Sequence, residues 1–172
     1  MELAARLRHF IEADKQIGGH PSWRFDAQDD RKLRASVPLT IGGSIPEGLY
    51  LEGRCRADDP DRDVSMSLVY KPAQGLSGPL CRIDWNPLQP HRNNGLVSGP
   101  WRFAPIEGTQ LHPFEENFRR GIDRMFRENL PIAFPVEETL QNFREMLSFA
   151  GEIFKIGDVQ SVPVPPWSPR LV

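Results

Sequence analysis

The sequence predicts an α+β domain: a largely antiparallel sheet of about five to six strands, with an N-terminal helix and two C-terminal helices packed on one face. Two observations carry that reading. Apolar residues recur with period two through the middle of the chain, and with helical spacing before Gly18 and after Pro113.

Leu3, Leu7, Phe10 and Ile11 form one apolar stripe on a helix that Gly18-Gly19 ends. Trp23 and Phe25 mark a short strand. Leu33, Ala35, Val37, Leu39 and Ile41 then alternate with Arg34, Ser36, Pro38 and Thr40, as in a strand buried on one face. Pro38 has no N–H for a ladder, so this strand is expected at an edge or with a bulge. Leu49, Leu51, Gly53 and Cys55 alternate likewise, as do Val64, Met66, Leu68 and Tyr70; the Asp-rich turn at 58–63 joins them as a hairpin. Cys81, Ile83 and Trp85 give the next strand, and Trp101-Arg102-Phe103 a further short one. The segment 86–100 between them is dense in Pro, Gly and Asn and reads as a loop.

After Pro105 the period changes. Phe114, Phe118, Ile122, Met125 and Phe126 lie on one face of a helix, with Pro113 suited to its first turn and Glu115-Glu116 to its dipole. Leu140, Phe143, Leu147, Ala150 and Phe154 define a second helix, separated from the first by Pro131 and Pro135. The expected core joins Leu33, Val37, Leu51, Met66, Leu68 and Ile83 of the sheet to Phe118, Ile122, Phe143 and Leu147 of the helices. Residues 1–162 read as a single domain and 163–172 as an extended, proline-rich tail. Trp167 would otherwise be exposed, so the tail is expected to dock on its own domain or on a second copy in a homodimer.

Composition removes several function classes. With 39% hydrophobic and 26% charged residues in 172, the chain is an ordinary globular one that needs neither disulfide nor metal to hold its core. Cys55 and Cys81 are far apart and show no CxxC spacing, which argues against a zinc site or a secreted disulfide framework. The charged N-terminus lacks the apolar segment of a signal peptide, and no stretch approaches the roughly 20 apolar residues of a membrane span, so a cytoplasmic protein without a membrane partner is expected. A net charge of −2 supplies no overall field for nucleic acid, and the expected partner is an unidentified macromolecule, protein before nucleic acid. No phosphate-loop, dinucleotide, nucleophile-elbow or HExxH pattern occurs, and the Asp-rich turn lacks the glycine and glutamate of a calcium loop; no cofactor or metal is expected.

Two sets of residues remain. By alternation, Arg34, Glu52, Arg54, Arg56, Ser65, Ser67, Arg82, Asp84 and Arg102 share the polar sheet face. Arginines beside hydroxyls can hold phosphate or carboxylate through forked hydrogen bonds, although cross-strand pairing with Glu and Asp would explain the same residues structurally. The binding candidates are Arg54, Arg56, Arg82, Asp84 and Asn93. The second set is His91 and His112 with Arg82 and Arg92, which, if the imidazoles meet, could act as acid and base in a metal-independent phosphoryl transfer. The structural alternative puts His91 in a turn and His112 at the N-cap of the helix after it.

Arg82-Ile83-Asp84-x-Asn86, Pro90-His91-x-Asn93 and His112-x-Phe114 resemble an uncharacterised family of small bacterial proteins, in which an R-I-D-x-N strand leads to a P-H-x-N loop and an H-x-H-type strand. The resemblance spans residues 64–154 and implies a bacterial or mobile-element origin, without implying an activity. Here Pro113-Phe114 follows His112 where the family tends to have a second histidine, which weakens a two-histidine site. The resulting expectation is a non-enzymatic, macromolecule-binding domain using the polar sheet face and the 86–100 loop. The alternative is a metal-independent ribonuclease or related phosphoryl-transfer enzyme using His91 and His112.

Overall fold

In the computed structural model, which describes residues 2–93, 95 and 97–168, the alternating stretches build one antiparallel sheet. In chain order the elements are α1 (Leu3–Glu12), β1 (Gln16–Ile17), β2 (Trp23–Phe25), β3 (Lys32–Thr40), β4 (Leu49–Arg56), β5 (Val64–Tyr70) and β6 (Gly78–Trp85). They continue with β7 (His91–Arg92), β8 (Pro105–Ile106), β9 (Gln110–His112), α2 (Phe114–Phe118), α3 (Ile122–Arg127), β10 (Phe134–Pro135) and α4 (Phe143–Phe154). The main sheet has eight strands in the order β1-β3-β4-β5-β6-β9-β10, with β2 also on β3; β7 and β8 form a separate ribbon. The strands beyond the expected five or six are two or three residues long, too short to show a period.

Pro38 sits where its missing N–H does no harm. Its carbonyl accepts the Gly18 N–H at 2.8 Å, and an antiparallel residue turns both backbone groups the same way, so the absent donor faces the gap between β1 and β2.

One sheet face is covered by α1 and α4. Leu7 and Phe10 from α1, and Phe143, Met146, Leu147, Ala150 and Phe154 from α4, share a core with Leu33, Val37, Leu51, Met66, Leu68, Ile83 and Trp85. The Trp85 Nε1–H donates to the Leu140 carbonyl at 3.1 Å, which satisfies the polar atom of a fully buried indole. Asn142 caps α4: its Oδ1 accepts the Glu145 N–H at 3.0 Å, and Glu145 returns by accepting the Gln141 N–H at 2.9 Å.

Three expectations are corrected. The stripe from Phe114 to Phe126 is not one helix: Gly121, at φ +93°, separates α2 from α3, and Phe118 and Ile122 beside the break are only partly buried. Trp101-Arg102-Phe103 is a turn, with Phe103 at φ +62° and 52% exposed, so Arg102 lies off the sheet; the strand there is β8. The loop at 86–100 is interrupted at His91 and Arg92, which form β7; its other described residues are turns, bends or coil, and residues 94 and 96 lie outside the described residues.

The tail runs along its own domain as far as Ser168. Trp23 Nε1–H donates to the Pro163 carbonyl at 2.7 Å, Trp167 meets Phe143 edge-on at 5.8 Å, and the Ser168 N–H donates to the Ala57 carbonyl at 2.8 Å. Residues 169–172 lie outside the described residues. Among the described residues, no helix is long and apolar enough to cross a membrane.

Candidate functional site

Strand register sorts the polar residues into two cross-strand rows. Arg24, Arg34, Arg54, Ser65, Asp84 and Gln110 stand opposite one another from β2 through β9, and Ser36, Glu52, Ser67, Arg82 and His112 form the next row. Paired residues share a face, so these rows form the face that α1 and α4 leave open. On it lies a trough of about 440 Å³ that runs from Arg34 past Arg54, Ser65 and Ser67 to Arg82 and Asn129. Arg34 pairs with Asp26, Lys71 with Glu52 at 3.3 Å, and Arg56 with Asp58 at 3.0 Å. Arg24 and Arg54 are exposed, and neither has a hydrogen-bond or ion-pair partner among the described residues.

At the β6–β9 end the face is closed over a charged cluster. His112 is fully buried, its Nδ1 2.7 Å from the Leu130 carbonyl and its Nε2 3.0 Å from Asp84 Oδ2. A carbonyl and a carboxylate only accept, so both ring nitrogens are turned to acceptors inside the protein. Arg82 Nη2 lies 3.0 and 3.3 Å from the two ring nitrogens. One atom cannot be that near both in the ring plane without striking the carbon between them, so the guanidinium stands over the ring face. Arg82 also donates from Nε to Asp84 at 2.9 Å and from Nη1 to the Asn129 carbonyl at 3.1 Å. Burial alone would raise the Asp84 pKa, but the His112 hydrogen bond, the charges of Arg82 and His112, and the Ser65 hydroxyl together hold it well below the usual carboxylate range.

His91 stands edge-on to His112, with ring centroids 4.9 Å apart. Its Nε2 is 2.9 Å from the Pro131 carbonyl and 3.2 Å from Asn93 Oδ1, and so donates to acceptors. Burial first, and then the nearby His112, lower its pKa, although its hydrogen bonds partly offset this.

These contacts have a common object, the strap from Asn129 to Ala133. Arg82 holds the carbonyl of Asn129, His112 that of Leu130 and His91 that of Pro131. Asn117 accepts from Ile132 N–H at 2.9 Å and donates to its carbonyl at 3.0 Å; Asn93 does the same for Ala133, at 2.9 and 2.8 Å. Asn129 and Leu130 have φ of +55° and +58°, a region that a leucine adopts only when its surroundings enforce it. Side chains therefore satisfy the backbone of a segment whose Leu130, Ile132 and Ala133 are buried and which, among the described residues, has no strand partner.

Of the sequence-derived candidates, His91, His112, Arg82 and Asp84 meet. Arg92 is turned away, donating to the Phe103 carbonyl at 2.7 Å. Asn93, 1% exposed, faces the strap, and Arg56 faces its own loop through Asp58, whereas Arg54 lies open in the trough. His112 is not an N-cap: Pro113 holds that position and His112 ends β9, opposite Arg82; His91 is likewise a strand residue. Sequence reasoning missed Asn117, hidden among polar helix positions, and Arg24, whose alternation was visible but whose register with Arg34 was not. Cys55 and Cys81 are free and buried, and burial pushes both thiols up to about 12, which leaves them poor nucleophiles. Among the described residues, no cluster of three or more His, Cys, Asp or Glu side chains could hold a metal. No family model, curated protein or solved structure matches this chain.

Proposed function

We propose that this protein is a binding domain that engages an anionic macromolecule, a protein in preference to a nucleic acid, on the open polar face of its sheet. Arg54 carries the reading: an exposed guanidinium without an internal partner among the described residues, beside Ser65 and Ser67 in a trough whose charged lining is four basic residues to one acidic. An unneutralised arginine among hydroxyls is suited to carboxylate or phosphate oxygens. The sheet face is the contact rather than the 86–100 segment, because His91 and Asn93 turn inward to the strap. Affinity capture from the native host would test it. A partner retained by the parent and by Arg92→Glu, but lost with Arg54→Glu, is the expected result; equal capture by all three would refute the assignment to this face.

One observation favours a second reading, phosphoryl transfer: His91 and His112 are in contact, with Arg82 in the same cluster. Against it, His112 is buried and both its nitrogens face internal acceptors, whereas an acid–base pair must reach substrate. Cleavage of single-stranded RNA in the presence of chelator, lost on His91→Ala in a folded variant, would replace the binding reading with this one.

A further inference from the structure

We infer that the ligand of the polar face is an extended peptide segment rich in Asp and Glu, laid across the strands with its carboxylates on the row Arg24, Arg34 and Arg54; this rests on the binding reading above. Register places these three arginines directly opposite one another on adjacent strands β2, β3 and β4. Neighbouring strands are about 4.8 Å apart, so three guanidinium-bearing positions lie within about 10 Å. Like charges directly opposite across strands repel and weaken a sheet. Of the three, Arg34 has an internal counter-ion, Asp26, whereas Arg24 and Arg54 have no ion-pair partner among the described residues. An external anion would.

The shape of the trough selects the kind of anion. It crosses the strands instead of following one, drawing its lining from β3, β4, β5 and β6, and Arg24 of β2 stands outside it, next in the row beyond Arg34. Three strand spacings make about 14 Å, the span of about four residues of extended chain. Ser67 adds a hydroxyl that can donate to a peptide carbonyl, while Ser36 and Ser65, whose hydroxyls donate to Glu52 and Asp84, can still accept from peptide N–H groups. Among the described residues no aromatic side chain lines the trough, whereas sites for single-stranded nucleic acid combine positive charge with rings on which bases stack. A basic trough without a stacking surface fits an acidic peptide better than RNA.

The test is a titration of the ¹⁵N-labelled full chain at low salt with three probes: an oligoglutamate peptide, an oligolysine peptide and a short oligouridylate. Oligoglutamate is expected to shift the amides of Arg34, Arg54, Ser65 and Ser67, oligolysine to leave them unmoved, and added salt to weaken the effect. In the double variant Arg24→Ser, Arg54→Ser the dissociation constant for oligoglutamate should rise about tenfold or more. Both side chains are exposed, so the variant should melt at the parent's temperature or above. If oligouridylate moves these amides and oligoglutamate does not, the peptide inference is overturned while a binding role for the face survives. If neither moves them, both readings fall. Oligoglutamate binding that is equal in parent and double variant would remove the arginine row from the site.

Discussion

A buried imidazole between a carboxylate and a carbonyl is a structural tie before it is a catalyst, and His112 has that environment. His91 is only half-buried, and its pKa is lowered by burial and by His112. The pH dependence of stability follows in sign. An unfolded histidine takes up its proton near pH 6.5, whereas folded His91 resists until lower pH; the unfolded chain therefore binds more protons as pH falls. His91 makes no difference to stability well above about pH 6.5, and stability falls as the pH drops from there toward its lowered folded value. Asp84, also depressed, contributes stability that is complete above the ordinary carboxylate pKa of about 3.9 and is lost as the pH falls further, toward its folded value. Acid should thus weaken the fold in two stages. His91→Gln, which keeps an N–H for the Pro131 carbonyl and removes the titration, should flatten the fall in melting temperature between about pH 7 and 5 and leave the lower stage in place. An unchanged slope in that variant would mean that another group governs the upper stage.

At the scale of elements, the strap is the unusual part, because it is held by side chains where a strand would be held by a ladder. Asn117 of α2 matches both backbone groups of Ile132 and also donates to the Pro113 carbonyl at 2.7 Å. Asn117→Ala would leave the buried N–H and carbonyl of Ile132 without partners and should cost about 2–4 kcal/mol, read as a lowered urea midpoint at unchanged m. An Arg124→Ala change in the exposed pair with Glu128 should cost under about 1 kcal/mol, and equal losses in the two would deny the strap its role. Little of this was legible in the sequence. Asn117 occupies a polar position between Phe114 and Phe118, where any hydrophilic residue satisfies the periodicity, and the apolar stripes on either side of Gly121 stay in phase, so the break between α2 and α3 leaves no mark in the pattern. His112 before Pro113 looks like a helix cap because the pairing that makes it a strand residue comes from β6, 30 positions away.

Across the whole molecule, alternation along β3 to β6 was enough to place Arg34, Arg54, Ser65 and Arg82 on one face and the core residues on the other, because a period of two is a local property. The meeting of His91 with His112, and of Arg24 with Arg34, depends on register and on the path of loops, which no local pattern encodes. The tail belongs to this same class of long-range contact, and it closes the covered side of the sheet. Trp167 packs edge-on against Phe143 at the start of α4, next to Trp23, whose indole N–H is tied to Pro163. Among the described residues its own Nε1 has no nitrogen or oxygen partner and meets the Cys55 sulfur, so the ring is held by apolar contact more than by hydrogen bonding. Prolines at 163, 165 and 166 restrict the unfolded tail and reduce the entropy lost when it docks. Trp167→Ala should therefore destabilise the domain by about 1–3 kcal/mol, less than a fully buried tryptophan because the ring is partly exposed. A chain ended after Val162 should lose at least as much. Because the tail lies on its own domain, sedimentation should give parent and shortened chain the same association state. A shortened chain that unfolds at the parent's urea concentration would show that these contacts add no stability, and a change in association state would show that the tail docks on a second copy.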